Sequence, residues 1–148
     1  MADPFFLDTN VLVYTFDDTA PRKRDLARGL TARALADGRG RISSQVVQEF
    51  LNVATRKFAA PLDEARAGEY LGTVLAPMCT VFASIPLCEH ALRVQARWRL
   101  SWHDSLVVAG AVESGAGILY SEDLQHGQRI ESITVIDPFA ADPDSPDA

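Results

Sequence analysis

Four acidic residues stand where this chain passes from one kind of local pattern to another. Asp8 follows the apolar run Phe5-Phe6-Leu7 and precedes Thr9-Asn10-Val11-Leu12-Val13-Tyr14, the pattern of a buried strand handing over to a helix. Asp123 comes just after Ile118-Leu119-Tyr120 and the polar pair Ser121-Glu122. Asp104 lies at the amino end of Ser105 to Val112, apolar nearly all round and so the pattern of a helix buried mid-domain. Glu49 falls about one and a half turns into a helix expected from Gln45 to Phe58, at the margin of the stripe Val47, Phe50, Leu51, Ala54 and Phe58. Each acid has an ordinary explanation on its own. Asp8 or Thr9 suits a helix cap, and Glu49 suits the edge of an apolar face. Ser101 and Asp104 have capping-box spacing, and Ser121 and Asp123 are turn formers.

The elements around these acids change how they read. Strands are expected at Phe5–Leu7, Arg41–Ser43, Cys79–Phe82, Ile118–Tyr120 and Ile133–Ile136. Helices fill the intervals: Pro21–Asp37 with Leu26, Ala27, Leu30, Ala34 and Leu35 on one face, another from Pro61 to Pro77, and one after Pro86 with Leu87, Ala91, Val94 and Trp98 in register. Alternating strands and helices predict a three-layer α/β/α domain over a short central parallel sheet. Asp8 and Asp123 then share the carboxyl edge of that sheet, where such folds bind ligands.

Four carboxylates brought together are costly unless a positive charge compensates. Hard divalent cations prefer carboxylate oxygens, retain waters and take substrate phosphate. Such an ion can activate water for phosphodiester cleavage. The residues alone therefore point to metal-assisted hydrolysis of a phosphate ester.

Composition sets the bounds. The 148 residues suit one domain spanning 1–139, with an acidic, Pro- and Asp-rich tail at 140–148 expected to be disordered. No apolar run is long enough for a membrane span. The two cysteines, Cys79 and Cys88, lack metal-site spacing and fit buried thiols of a cytoplasmic protein. His90 reads as a satisfied boundary histidine, and His103 beside Asp104 has no second histidine cluster to support a metal site. The net charge of −6 is unevenly spread. Between Thr19 and Lys57 nine bases face three acids, while from Leu100 onward nine acids face one base. That asymmetry allows a basic surface for phosphate beside an acidic pocket, with Arg22, Lys23 and Arg24 as candidate RNA backbone contacts.

Four ordered motifs carry a resemblance: Phe-Leu-Asp-Thr-Asn at 6–10, Ser-x-Gln-Val-Val-Gln-Glu-Phe at 43–50, Trp-His-Asp-Ser-Leu-Val-Val-Ala at 102–109, and Leu-Tyr-Ser-Glu-Asp-Leu-Gln-His-Gly at 119–127. In order and separation they resemble the PIN-domain ribonucleases, specifically the VapC-like toxins of bacterial toxin–antitoxin pairs. The likeness runs from about Phe5 to Phe139. It implies that Asp8, Glu49, Asp104 and Asp123 form the family's acidic quartet, with Asp8 and Asp104 as the firmest Mg²⁺ or Mn²⁺ ligands. Glu49 and Asp123 would complete the cluster directly or through metal-bound water. Asn10 and Ser121 match supporting positions that orient the carboxylates, and Glu122 is a further acid beside the site with no assigned role. The resemblance also implies RNA as substrate, a cognate antitoxin and a homodimer.

Two rivals stand beside this reading. A haloacid-dehalogenase-like phosphatase also opens on a strand and an Asp, but it places a second acid where this chain has Asn10. A PIN-like module that binds RNA or protein without cutting would not need all four acids.

Overall fold

The computed structural model describes residues 3–140. Beyond Ala140, the expected acidic tail lies outside the described residues. In chain order the elements are β1 (Phe5–Leu7), α1 (Thr9–Tyr14), α2 (Pro21–Ala36), β2 (Gly40–Ser43) and α3 (Ser44–Arg56). There follow α4 (Glu64–Tyr70), a π-helical turn (Leu71–Leu75), α5 (Ala76–Met78), β3 (Cys79–Val81), α6 (Ile85–Trp98) and α7 (Trp102–Glu113). The chain closes with β4 (Ile118–Tyr120), β5 (Arg129–Ile130) and β6 (Ile133–Ile136).

The strands form one six-stranded sheet in the order β3-β2-β1-β4-β6-β5. All neighbouring pairs are parallel except β5 and β6. From β1 the chain steps outward to β2 and β3, then returns across the sheet to β4. Right-handed crossovers put the helices of those two journeys on opposite faces. The direction therefore reverses between β1 and β4, the kind of switch point at whose carboxyl side such sheets bind ligands. Register aligns Leu7 with Tyr120 and Tyr120 with Ile136. The residues one step further, Asp8 and Ser121, consequently meet at the same rung.

Apolar strands need cover on both faces, and here they have it. Phe6, Leu7, Ile42, Leu119 and Val135 have no exposed surface, nor do Val11, Leu12, Val46 and Phe50 from the helices above them. Burial of such side chains contributes about 1.5–3 kcal/mol each. The most crowded approach is at Gly40, where an added Cβ would come within 2.3 Å of the Ala34 Cβ. Only glycine lets α2 lie this close to β2. Two residues earlier, Gly38 takes a φ of 68°, the left-handed turn that commonly ends a helix. Among the described residues no helix is long and apolar enough to cross a membrane.

Several boundaries differ from those expected. The helix assigned to Pro61 starts at Glu64, because Asp63 caps it by accepting a hydrogen bond from the Arg66 amide at 2.9 Å. Pro77 does not stop a helix but sits in the first turn of α5, where its missing N–H costs nothing. Leu26 turns outward from α2, whose inner face is Ala27, Leu30, Thr31 and Ala34. Phe82 lies beyond β3 and is exposed. β5, unexpected from sequence, is two residues long and pairs with β6 through a turn in which Glu131 adopts a φ of 53°. Cys79 and Cys88 are free and half-buried rather than buried. His90 is satisfied as expected, its Nε2 lying 2.8 Å from the Glu131 carboxylate.

Candidate functional site

The sheet's carboxyl edge is where the acids gather. Asp8 follows β1 and is the N-cap of α1, its Oδ1 accepting the Thr9 amide at 2.7 Å. The cap reading and the functional reading thus describe one carboxylate. Its other oxygen, Oδ2, accepts the Ser121 hydroxyl at 2.8 Å, directly across the β1–β4 rung. Only 4% of the Asp8 surface is exposed. Burial pushes its pKa up to about 6, with the charges of Asp123 and Glu49 adding to the rise and the Ser121 and Thr9 hydrogen bonds opposing it.

Asn10 joins the two strand ends. Its Nδ2 donates to Asp123 Oδ2 at 3.2 Å and, at a longer 3.4 Å, to Asp8 Oδ2. Its Oδ1 accepts the Glu122 amide at 3.3 Å. Ser121 Oγ in turn accepts the Asp123 amide at 3.1 Å. Asn10 and Ser121 thus each hydrogen-bond to Asp8 and to Asp123.

Glu49 enters from α3, which Ser43 starts by capping the Val46 amide. Oε2 accepts the Thr9 hydroxyl at 2.8 Å, and Oε1 accepts Gln45 Nε2 at 3.2 Å. The His103 ring also meets Oε1 through Nε2. The same Gln45 amide donates to the His103 carbonyl at 3.2 Å. These contacts tie the start of α7 to the middle of α3, one residue from Asp104. Asp104 itself is half-buried, and its amide is capped by Ser101 Oγ at 3.1 Å. Among the described residues nothing hydrogen-bonds its carboxylate.

The structure thus links Asp8, Asp123 and Glu49 through shared partners, and brings Asp104 to their margin on α7. Among the described residues no lysine or arginine forms a salt bridge with any of the four. Glu122, by contrast, is paired with Lys23 at 2.7 Å. The basic trio on α2 is split. Arg24 is held by Asp18 and Asp25 at 2.8 and 3.1 Å, and Arg22 donates to the Phe139 carbonyl at 3.1 Å. Three residues with positioning contacts were not assigned them from sequence: Thr9, Gln45 and His103. Their contacts with Glu49 span 40 residues of chain for Thr9 and 54 for His103 or, for Gln45, one helical turn. Only the Gln45–Glu49 spacing of four was open to a local reading.

Whether this donor set fits a divalent cation can be judged from its chemistry. The available atoms are hard carboxylate oxygens, and one carboxyl is buried with neighbouring negative charge and no cationic partner. Among the described residues no three acidic, histidine or cysteine groups converge to enclose an ion. A cation that binds through one or two protein carboxylates plus water and phosphate suits that spacing. The residues fit Mg²⁺ or Mn²⁺ and not a closed structural metal shell.

Comparison with known proteins agrees with the geometry. The structure resembles several solved structures in fold. DNA-bound VapBC from Salmonella typhimurium matches with a TM-score of 0.64 at 20% identity over 90% of this chain and 97% of the other. FitAcB from Neisseria gonorrhoeae gives 0.64 at 15% over 93% and 99%. The sarcin–ricin loop cleaving toxin VapC20 of Mycobacterium tuberculosis gives 0.58 at 18% over 80% and 89%. No curated protein sequence matches significantly. The sequence profile of the PIN domain matches residues 5–129. The chain belongs to the PIN domain family. That membership sets aside the haloacid-dehalogenase-like reading, whose second acid would stand at Asn10.

Proposed function

We propose that this protein is a metal-dependent endoribonuclease, the toxin of a toxin–antitoxin pair, using Mg²⁺ or Mn²⁺ at Asp8, Glu49, Asp104 and Asp123. The observation that carries this reading is the buried Asp8 carboxyl, set against Asp123 and Glu49 with no lysine or arginine paired to it among the described residues. Similar folds solved as toxin–antitoxin complexes support an antitoxin partner, and the named activity of VapC20 supports RNA as substrate. A homodimer remains part of the proposal.

The reaction is hydrolysis of a phosphodiester. A water oxygen bonds to phosphorus, the bond from phosphorus to the leaving ribose oxygen breaks, and that oxygen takes a proton. A bound cation supplies charge neutralisation and an acidified water. The protein's part is positioning. Ser121 and the Thr9 amide fix both oxygens of Asp8, and Asn10 keeps Asp123 beside it. Thr9, Gln45 and His103 hold both oxygens of Glu49 and keep it from swinging. Asp104, with no hydrogen bond on its carboxylate among the described residues, is the least encumbered ligand.

The test is incubation of the purified protein with structured RNAs in Mn²⁺ or in chelator, beside the Asp104→Asn variant. Cleavage is expected with the cation only, and the variant should lose it. Cleavage that continues in chelator would overturn the proposal, as would RNA binding without any cleavage.

A further inference from the structure

Lys23 stands apart from the other bases of α2. Its ammonium lies 2.7 Å from Glu122 Oε1 and 3.4 Å from the Tyr14 hydroxyl. The same ammonium sits 5.0 Å from the Tyr14 ring centre and 5.6 Å from that of Phe139. Tyr14 and Phe139 pack edge to face at 4.9 Å and make a fixed wall for it. The Glu122 backbone is hydrogen-bonded to Asn10, whose amide nitrogen reaches Asp123 and Asp8. One continuous set of bonds therefore places a lysine at the edge of the acidic cluster, where it remains about one-third exposed.

We propose that Lys23 is the base that grips a backbone phosphate of the RNA next to the acidic cluster, and that Glu122 is its positioning residue. Glu122 holds the ammonium beside the acidic cluster while no substrate is present, and a phosphate replaces the carboxylate when RNA arrives. A lysine suits this exchange because its ammonium is a compact point charge that can turn between acceptors. Arg24, bound to two carboxylates, lacks that freedom. The inference rests on RNA being the ligand of this site, and it assigns Glu122 the role that the motifs left open.

The experiment measures binding of a fluorescein-labelled, mixed-sequence single-stranded RNA in chelator, across a range of salt concentrations. Lys23→Ala is expected to weaken binding about tenfold, the effect of one charge-assisted hydrogen bond. The slope of log affinity against log salt should fall by about 0.7. Arg33→Ala, about 15 Å further along the same helix, is the comparison and should leave the slope unchanged. Glu122→Gln should tighten binding, and this gain should shrink when Lys23→Ala is also present.

A wild-type measurement guards against a misfolded variant. Lys23 and Lys57 are the only lysines in the chain, so amine-reactive labelling read by mass spectrometry reports each separately. RNA should protect Lys23. An unchanged salt slope in a folded Lys23→Ala protein, or Lys23 labelling that ignores RNA, would overturn the inference. Because cleavage plays no part in this readout, binding through Lys23 without cutting would contradict the ribonuclease reading and leave this inference standing. Cutting with no Lys23 effect would do the reverse.

Discussion

Asp8→Asn is expected to abolish metal-dependent RNA cleavage and, in chelator at neutral pH, to raise the melting temperature. The first effect follows from removing the most buried ligand charge. Transition-state stabilisation by a metal ion is worth several kcal/mol, so the rate should fall at least about a thousandfold. The second follows from the raised pKa of Asp8, 3.8 in isolation and about 6 in the fold. Between those values the folded protein keeps a proton that the unfolded chain has released. Stability therefore falls as pH rises through this window, and the loss is complete above pH 6. Its size is on the order of 3 kcal/mol at 1.36 kcal/mol per pKa unit.

Asparagine does not titrate, yet it can present oxygen to the Thr9 amide and nitrogen to Ser121 Oγ. The variant should thus melt on the order of 5 °C higher at pH 7.5, and its stability should change less between pH 4 and 6. Thermal melts in chelator across that range check this. A residue that served only as a helix cap would show neither effect, since Asp and Asn cap about equally well. Equal melting temperatures together with retained cleavage would return Asp8 to that role.

Phe50→Ala should produce the largest loss of stability. Phe50 is wholly buried on α3 beside Glu49. Its ring stacks on Tyr70 at 4.7 Å and meets Phe16 and Phe58 at 5.9 and 6.1 Å. Phe16 also lies 5.2 Å from Phe58 and 5.3 Å from Tyr70. This cluster fastens the segment after α1 and the end of α4 to α3, and so fixes the helix that delivers Glu49. Truncating such a ring costs about 3–5 kcal/mol, against a total of about 5–15 for a domain. Urea denaturation should show a lower midpoint with an unchanged slope. Phe50→Leu, which refills most of the volume, should lose much less. A loss below about 1 kcal/mol for the alanine variant would mean that the cluster does not hold α3.

Much of the site was readable in the sequence because its chemistry lies at element boundaries. Asp8 comes one residue, and Asp123 three residues, after an apolar triplet that marks a strand's end and so the sheet edge, which is why the sequence alone pairs them. Glu49 and Asp104 were legible through helical spacing and motif order. Contacts between distant segments were not. Thr9 has the residue type of an ordinary helix start, and nothing local shows that its hydroxyl reaches Glu49. The three adjacent bases of α2 look equivalent in sequence, yet helical geometry sends Lys23 to Glu122 and Arg24 to Asp18 and Asp25. In the fold, β5 escaped notice because two residues carry no periodicity, and a paired strand of that length is defined by its partner. Pro61 and Pro77 misled for a related reason, since proline fits both before a helix and inside its first turn.

Asp8, Glu49, Asp104 and Asp123 are proposed to share a divalent cation. The most direct measurement is the melting temperature of the metal-free protein at pH 7.5 as Mn²⁺ is added, for wild type, Asp8→Asn and Asp104→Asn. A ligand that binds only the folded state stabilises by about 2.7 kcal/mol at a hundred times its Kd. Wild type should therefore rise with Mn²⁺ concentration and level off, while both variants stay nearly flat. A wild-type melt indifferent to Mn²⁺, or an equal rise in all three proteins, would contradict the claim.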